Sequence, residues 1–469
     1  MKIVIVGAGM IGLCTSMLLA DDGHEVVVLE RDPAPPPEPA ESWGSWERKG
    51  VNQFRLAHFF LSRFRAVADH ELPRLTEALT VAGASRYNAV SNIPAEMKGG
   101  VRPGDDRFEV ITGRRAVVES VTGRVTEETP GVTVRRGGAV KGLVTGAPAS
   151  SAVPHATGVE LEGGERIEAD VVIDATGRRS PLPRWIAEAG GAAVAEELDD
   201  SGFIYYGRHF RSGDGSLPVM IGPLKQDYGS ISALTLPADN GTWSVTIIGS
   251  AQDRALRGLT DPKRWEAAVG LLPLAAHWID GEPIDDGVTV MAKIEDRIRD
   301  FAPGGKPVVT GVLAVGDSWS CTNPSLGRGA SIGLMHGVAL RDLLRDEGAA
   351  DPRKLTAIWS ELTRAAMEPW YRATLNYDRH RLAETHALIE GAEFSSKDPE
   401  WVLTKTLEAR SLDDPDWLRL GMDLAMLLRR AGEVLDDQAV QARLDLDGWS
   451  SEDRPPLGPS RAELVSAIA

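Results

Sequence analysis

The first thirty residues, MKIVIVGAGMIGLCTSMLLADDGHEVVVLE, leave few folds open to this chain. KIVIV at 2–6 is an unbroken apolar, β-branched run, the pattern of a strand buried on both faces. Gly7, Gly9 and Gly12 follow as G-x-G-x-x-G, with Met10 and Ile11 inside the motif. Residues 13–20 then read as a helix, and EVVVL at 25–29 as a second buried strand closed by Glu30. Each glycine has a task. The first permits a tight turn, the second lets the backbone approach a pyrophosphate, and the third lets the helix pack closely on the strand. The helix N-terminus adds free N–H groups and a positive dipole. An acid at the end of the second strand, about twenty residues on, is placed to bind ribose hydroxyls. The unit therefore predicts a Rossmann-like α/β domain that holds NAD or the adenosine half of FAD. Arg31 could contact a 2′-phosphate, lie over the adenine or point to solvent. A lysine before an apolar run also suits a secretory leader, but three glycines break the run and a second strand follows, so the segment is read as structure.

The chain has 469 residues, enough for two or three domains. Its 68 acids outnumber 51 bases, for a net charge of −17, which argues against a basic nucleic-acid footprint. No apolar stretch approaches the ~18 residues of a membrane span, so a cytoplasmic protein with no stable membrane insertion is expected. Cys14 and Cys321 are too few for a disulfide framework or a metal site and are expected to be packed thiols. Five prolines between 33 and 39 predict an extended loop. Helical patterns run from about Leu56 to Ala82, interrupted at Pro73. Residues 132–177 read as strands, with a hairpin turn at Gly163-Gly164. FIYYGRHF, PVMIGPL, YGSISALTLP and WSVTIIGS, between 203 and 250, predict an antiparallel sheet of their own. From about 330 the chain is mainly helical, and Ser460 with Glu463 predicts a capping box on the last helix.

A second signature lies three hundred residues after the first. Residues 312–334 read VLAVGDSWSCTNPSLGRGASIGL: an apolar strand ends in Gly316-Asp317, a loop carries Pro324, Gly327 and Gly329, and a helix opens at Ala330. A simple NAD enzyme needs no such element. The glycine motif with Glu30, the ADVVIDATG strand at 169–177 and this Gly-Asp loop together resemble the FAD-dependent monooxygenases of the para-hydroxybenzoate hydroxylase fold. The matched segments are scattered over about residues 1–345, roughly three quarters of the chain.

The resemblance implies a glutathione-reductase-type FAD-binding domain from 1–85, 105–190 and 300–345. It also implies a substrate-binding sheet domain from 86–104 and 195–299, and a helical C-terminal region from 346–469. It implies that Asp317 binds the ribityl chain, that Pro324 lies against the flavin, and that Gly327 and Gly329 line the pyrimidine edge. Arg48, in Arg48-Lys49-Gly50-Val51, maps to an arginine beside the flavin, with Val51 next to it. Arg115, in ITGRRAVVESV, maps to a cofactor-binding arginine, and Val140, Gly316 and Ala330 are assigned to the same cofactor site. A helix N-terminus beside the reduced ring would stabilise its negative charge. Arg328 could add to this or sit at the surface. RKGVNQFRLAH at 48–58 is similar to flavin epoxidases of polyether biosynthesis.

In such enzymes reduced flavin and O2 form a C4a-(hydro)peroxide, and the protein mainly positions the substrate and excludes water. The expected reaction is hydroxylation or epoxidation of an apolar aromatic or alkene small molecule. The antiparallel sheet would roof the pocket with Tyr205, Tyr206, Phe210 and Trp243. His58 and His209 are the histidines nearest it and could act as acid or base, but no residue is assigned a catalytic role and no metal is expected. Many relatives carry Asp-Gly where this chain has Thr176-Gly177, with Asp174 two residues earlier. Reducing equivalents are therefore expected from NAD(P)H, either bound directly or passed through a separate flavin reductase. The alternatives are a flavin-dependent reductase of prenyl double bonds and a redox-sensing protein without enzymatic activity. A halogenase is disfavoured, because Trp43-Gly44-Ser45-Trp46 lacks the Trp-x-Trp-x-Ile-Pro spacing.

Overall fold

A computed structural model of the chain describes all residues except 49, 52, 92, 149–152, 347–350, 412–413, 445–448 and 451–456. Lys49 of the expected flavin-side segment, and Asn52 after it, fall outside the described residues. Among the described residues, no helix is long and apolar enough to cross a membrane.

Strand β1 (Lys2–Val6), helix α1 (Met10–Asp21) and strand β2 (Glu25–Glu30) form the opening unit. Five parallel strands make one sheet, in the order Val312–Ala314, Val171–Asp174, β1, β2, Val132–Arg136. The unbroken apolar runs are explained by its two covered faces. Ile3, Ile5, Val26, Val28 and Ile173 pack with Leu13 and Leu19 of α1 and Leu340 of the Gly329–Arg345 helix. Val4, Val6, Leu29, Val172 and Val312 point the other way, onto Ala156, Val159, Ile167 and Trp185. Alternate residues of one strand thus serve opposite layers.

The two halves of the cofactor motif meet by close helix packing. A Cβ on Gly333 would lie 2.7 Å from Ile11 Cγ1, and one on Gly337 would lie 2.7 Å from Thr15 Oγ1. The residue order of these contacts makes α1 and the Gly329–Arg345 helix run parallel, so both N-termini open on the same side.

The large antiparallel sheet runs Lys225–Tyr228, Ile231–Pro237, Thr242–Ser250, Phe203–Arg211, Glu282–Pro283, with Thr289–Met291 also on Phe203–Arg211. PVMIGPL is not one of its strands. Pro218 and Pro223 lack ladder donors, and the paired segment begins at Lys225. The helical segment expected from Leu56 begins only at Ser62, and Pro73 opens a second helix, Pro73–Val81, as its first residue. Ser85–Asn88 pairs with Glu109–Thr112, not with the large sheet. The Gly163-Gly164 hairpin and the Ser460–Glu463 capping box form as expected. Cys14 and Cys321 are buried free thiols, both pushed up to about 12 by burial.

The Glu368–Glu390 helix ties the C-terminal region to both sheets. Tyr371 and Leu375 join the layer beneath the parallel sheet. Further along, Arg381 Nη2 donates to the carbonyls of Gly229 and Ile231 in the large sheet, at 2.9 and 3.0 Å.

Candidate functional site

One cavity of about 830 Å³ runs from the glycine motif to the inner face of the large sheet. Its first end is built by the three glycines. Gly7 has φ +105°, and a Cβ there would lie 2.6 Å from Ala175 O. Gly9 precedes α1 and meets nothing within 4 Å of its Cβ position, so its backbone faces open cavity. Gly12 is buried, and a Cβ would lie 2.3 Å from Gly7 O and 3.0 Å from Ala175 Cβ. Turn, approach and packing therefore fall to the first, second and third glycine in that order. Met10 and Ile11 also line the cavity, whereas Gly12 does not.

Glu30 ends β2 at the cavity wall, 5% exposed. It accepts from Ala8 N at 3.1 Å, Asp32 N at 3.0 Å and Arg48 Nη2 at 2.8 Å. Arg48 also donates to Ala8 O and to Glu119, at 3.1 and 2.8 Å. Its guanidinium thus ties the glycine turn, Glu30 and Glu119 together. Arg31, Val51 and Val140 line the same end, and Arg31 Nη2 lies 2.6 Å from a Cβ position on Gly50.

A buried charge row continues inward. Glu119 accepts from Arg48 and, at 2.5 Å, from Arg115 Nε. Burial pushes the Glu119 carboxyl up, but Arg115 and Arg48 outweigh it and hold it below its ordinary range. Arg115 Nη1 lies 3.2 Å from His58 Nε2, and His58 Nδ1 lies 3.0 Å from Leu56 O. A carbonyl only accepts, so Nδ1 carries the proton and Nε2 offers its lone pair to Arg115. Burial, with Arg115 beside it, lowers the imidazole to about 3. His58 is a neutral anchor for Arg115, not a proton acceptor in waiting.

Asp317 enters at the middle. Gly316, at φ +58°, turns the chain after the Val312–Ala314 strand, and its Cβ position lies 3.2 Å from Ile11 Cγ2. The Gly-Asp turn therefore rests on the first turn of α1. Asp317 lines the cavity, and its carboxylate has no hydrogen-bond partner among the described residues. Burial raises it, while Arg115 and Arg178 pull it down. Such a carboxylate suits a ligand hydroxyl. Pro324, Gly327, Gly329 and Ala330 complete this wall, where the second helix N-terminus opens. Asp174 does not reach the cavity: it accepts from Thr176 N and Oγ1, at 2.9 and 2.6 Å, and from Ser180 Oγ. It ties the Thr176-Gly177 turn together.

The far end is lined by Leu56, Tyr205, Leu234, Leu236, Met291 and Ile294 from the sheet side. Met422, Ala425 and Met426 of the C-terminal region add a further wall. Tyr205 and His58 are at the cavity as expected; Tyr206, Phe210 and Trp243 are not. Those three side chains point to the opposite face of the sheet and pack with Trp265 and Trp278. His209 shares Tyr205's face, but Trp43 covers it with ring centroids 4.5 Å apart. Burial lowers it to about 3, so it is a packed neutral ring.

A polar network absent from the sequence motifs braces the flavin-side loop. Tyr205 Oη donates to Asn323 Oδ1 at 2.5 Å, and Asn323 N donates to Asp296 Oδ1 at 2.7 Å. Asn323 Nδ2 and Ser325 Oγ both donate to Asp378 Oδ1 at 3.1 Å. Burial lifts Asp296 to about 6 and Asp378 to about 7. No group of three or more His, Cys, Asp or Glu among the described residues is arranged to hold a metal.

The residues present fit FAD. A pyrophosphate cradle, a ribose acid, an unengaged mid-cavity carboxylate and a second helix N-terminus lie along one continuous space. Comparison with known proteins agrees. Residues 2–89 match the family model described as FAD dependent oxidoreductase. Protein Rv3254 of Mycobacterium tuberculosis is 27% identical over 399 residues, covering 78% of this chain and 77% of that protein. PqsL of Pseudomonas aeruginosa, described as a probable FAD-dependent monooxygenase, superposes with a TM-score of 0.58 at 14% identity, over 90% of this chain and 99% of its own. A flavoprotein/dehydrogenase of Cytophaga hutchinsonii gives 0.59 at 14% identity, over 94% and 96%. The N-terminal segment is thus similar to FAD-dependent oxidoreductases, and the chain shares the fold of PqsL, a probable FAD-dependent monooxygenase.

Proposed function

We propose that the protein is an FAD-dependent monooxygenase that inserts one oxygen atom into a largely apolar small molecule. The observation that carries this is the single cavity joining the FAD cradle to an apolar compartment under the large sheet. FAD, once reduced, supplies the activation of O2. The chain's own residues do the rest. The N-termini of α1 and the Gly329–Arg345 helix would hold the pyrophosphate and stabilise negative charge on the reduced ring when FAD is bound. Glu119 holds Arg48 and Arg115 in place, and His58 fixes Arg115 from the other side. Leu234, Leu236, Met291 and Ile294 keep water from the compartment where the substrate lies. Both nearby imidazoles are neutral and engaged or covered, which favours a substrate that needs no deprotonation, such as an alkene or an electron-rich ring. PqsL, described in complex with 2-aminobenzoylacetate, is a neighbour of this fold that holds a small aromatic molecule.

Electrons come from NAD(P)H, bound directly or relayed by a separate flavin reductase. Arg178 and Arg179, which follow the Thr176-Gly177 turn and line the cavity, would meet the phosphates of a directly bound donor. The test is turnover of the holoprotein under oxygen-18 gas with alkene and aromatic probes, given NADPH with and without an added flavin reductase. One labelled oxygen in the product supports the reading. A product gaining two hydrogens with no oxygen uptake would replace it with the double-bond reductase.

A further inference from the structure

Several charged side chains along the cavity have their counter-charge within the protein. Arg48 has Glu30 and Glu119, Arg115 has Glu119, and Lys225 has Asp227 at 2.9 Å with Tyr377 Oη at 2.7 Å. Arg178, Arg179 and Arg184 lack an ion pair among the described residues, but they are half-buried or exposed at the wall, where water solvates them. Arg328 is half-buried like Arg178 but differs at one atom. It lines the cavity between Gly327 and Gly329, and its Nε is enclosed with no partner. Its one hydrogen bond among the described residues runs from Nη1 to Thr374 Oγ1, at 3.0 Å, and no carboxylate oxygen among them lies within 4.0 Å. The acid that bears most on it is Asp378, which is occupied by Asn323 and Ser325 and lifted by burial to about 7. Asp378 therefore supplies only part of a counter-charge. Burial pulls Arg328 itself below its usual range. A guanidinium whose Nε is enclosed without a partner, and whose charge is only partly balanced, is costly, and a site that keeps one has a use for it.

We propose that Arg328 binds a carboxylate on the substrate, so that the preferred substrate is an apolar skeleton carrying one acidic group. This rests on the reading of the sheet-side compartment as the substrate site. Two anions could meet the guanidinium: a substrate carboxylate or the reduced flavin ring. The ring, when bound, would have the N-terminus of the Gly329–Arg345 helix to stabilise its charge. Arg328 instead reaches Thr374, on the helix that brings Tyr371 to the cavity and Tyr377 to Lys225. A planar guanidinium suits bidentate carboxylate recognition. Met291, Met422 and Met426, which line the same cavity, offer adaptable surface for the apolar body.

The test needs no turnover, so it stands apart from the oxygenase reading. Oxidised holoprotein is titrated at about pH 6, where the probe acids are ionised and Asp378 still holds most of its proton, and the flavin spectrum is followed. The probes are matched acids and primary amides: 2-naphthoate with 2-naphthamide, cinnamate with cinnamamide, and decanoate with decanamide. At least one acid is expected to bind about tenfold or more tighter than its amide. Arg328→Gln should abolish that preference, and Arg328→Lys should restore part of it, with FAD affinity retained. The proposal is overturned if no pair shows an acid preference. It is equally overturned if the preference survives in Arg328→Gln, including the case where that variant shifts only the flavin reduction potential.

Discussion

Replacing Asp378 by Asn should change the stability of the protein in a way that depends on pH, with a predictable sign. Asp378 is 2% exposed, its Oδ1 holds Asn323 and Ser325, and its Oδ2 has no partner. Burial and then Asp296 raise its carboxyl from 3.8 to about 7; Asn323, Ser325 and Arg328 oppose them. The native state therefore keeps a proton that the unfolded chain releases, and native stability falls as pH rises from the unfolded toward the native value. At about 1.4 kcal/mol per tenfold in proton affinity, the full effect is at most about 4 kcal/mol, of which about 2–3 kcal/mol falls between pH 5 and 8. Asparagine keeps the acceptor and cannot ionise. The two proteins should be of similar stability at pH 5, and the variant should gain by about 2–3 kcal/mol on going to pH 8. Asp296 is present in both proteins and its contribution largely cancels. Urea titrations with saturating FAD, followed by tryptophan fluorescence at four pH values, measure the difference. A difference that stays flat with pH would refute the assignment of a protonated acid behind the flavin-side loop.

The remaining predictions probe the cofactor end and the histidine. Gly9→Val places its side chain in open cavity, so the apoprotein should fold normally while FAD affinity drops at least about a hundredfold, as isothermal titration will read. Gly12→Ala should instead lower the melting temperature of the apoprotein, because its Cβ meets Gly7 O. Glu119→Gln strips the shared counter-charge from Arg48 and Arg115 and should cost about 3–5 kcal/mol in urea unfolding. His58→Asn should leave the pH–rate profile without a lost inflection near neutrality, since the imidazole is already neutral there; loss of such an inflection would restore His58 as an acid or base.

The cofactor end was legible because glycine reports backbone requirements directly. Gly7, Gly9 and Gly12 each do what their spacing implies, and Gly316-Asp317 falls where an apolar strand must stop. The substrate end was not. Adjacent residues of a strand face opposite layers, and period two does not say which layer is which. Tyr205 therefore reached the cavity while Tyr206, Phe210 and Trp243 joined the core behind the sheet. Asn323, Thr374 and Asp378 lie on a loop and a helix that no local pattern connects, so their network needed the tertiary fold. Met422 and Met426 line the cavity from a stretch with no motif.

The central claim is that the glycine cradle and Asp317 hold one extended FAD from two sides. Asp317→Ala tests it most directly, by flavin content on purification and FAD affinity of the apoprotein. The account predicts a folded protein with little or no bound flavin and weakened FAD binding. A protein that stays fully yellow with unchanged affinity would contradict it.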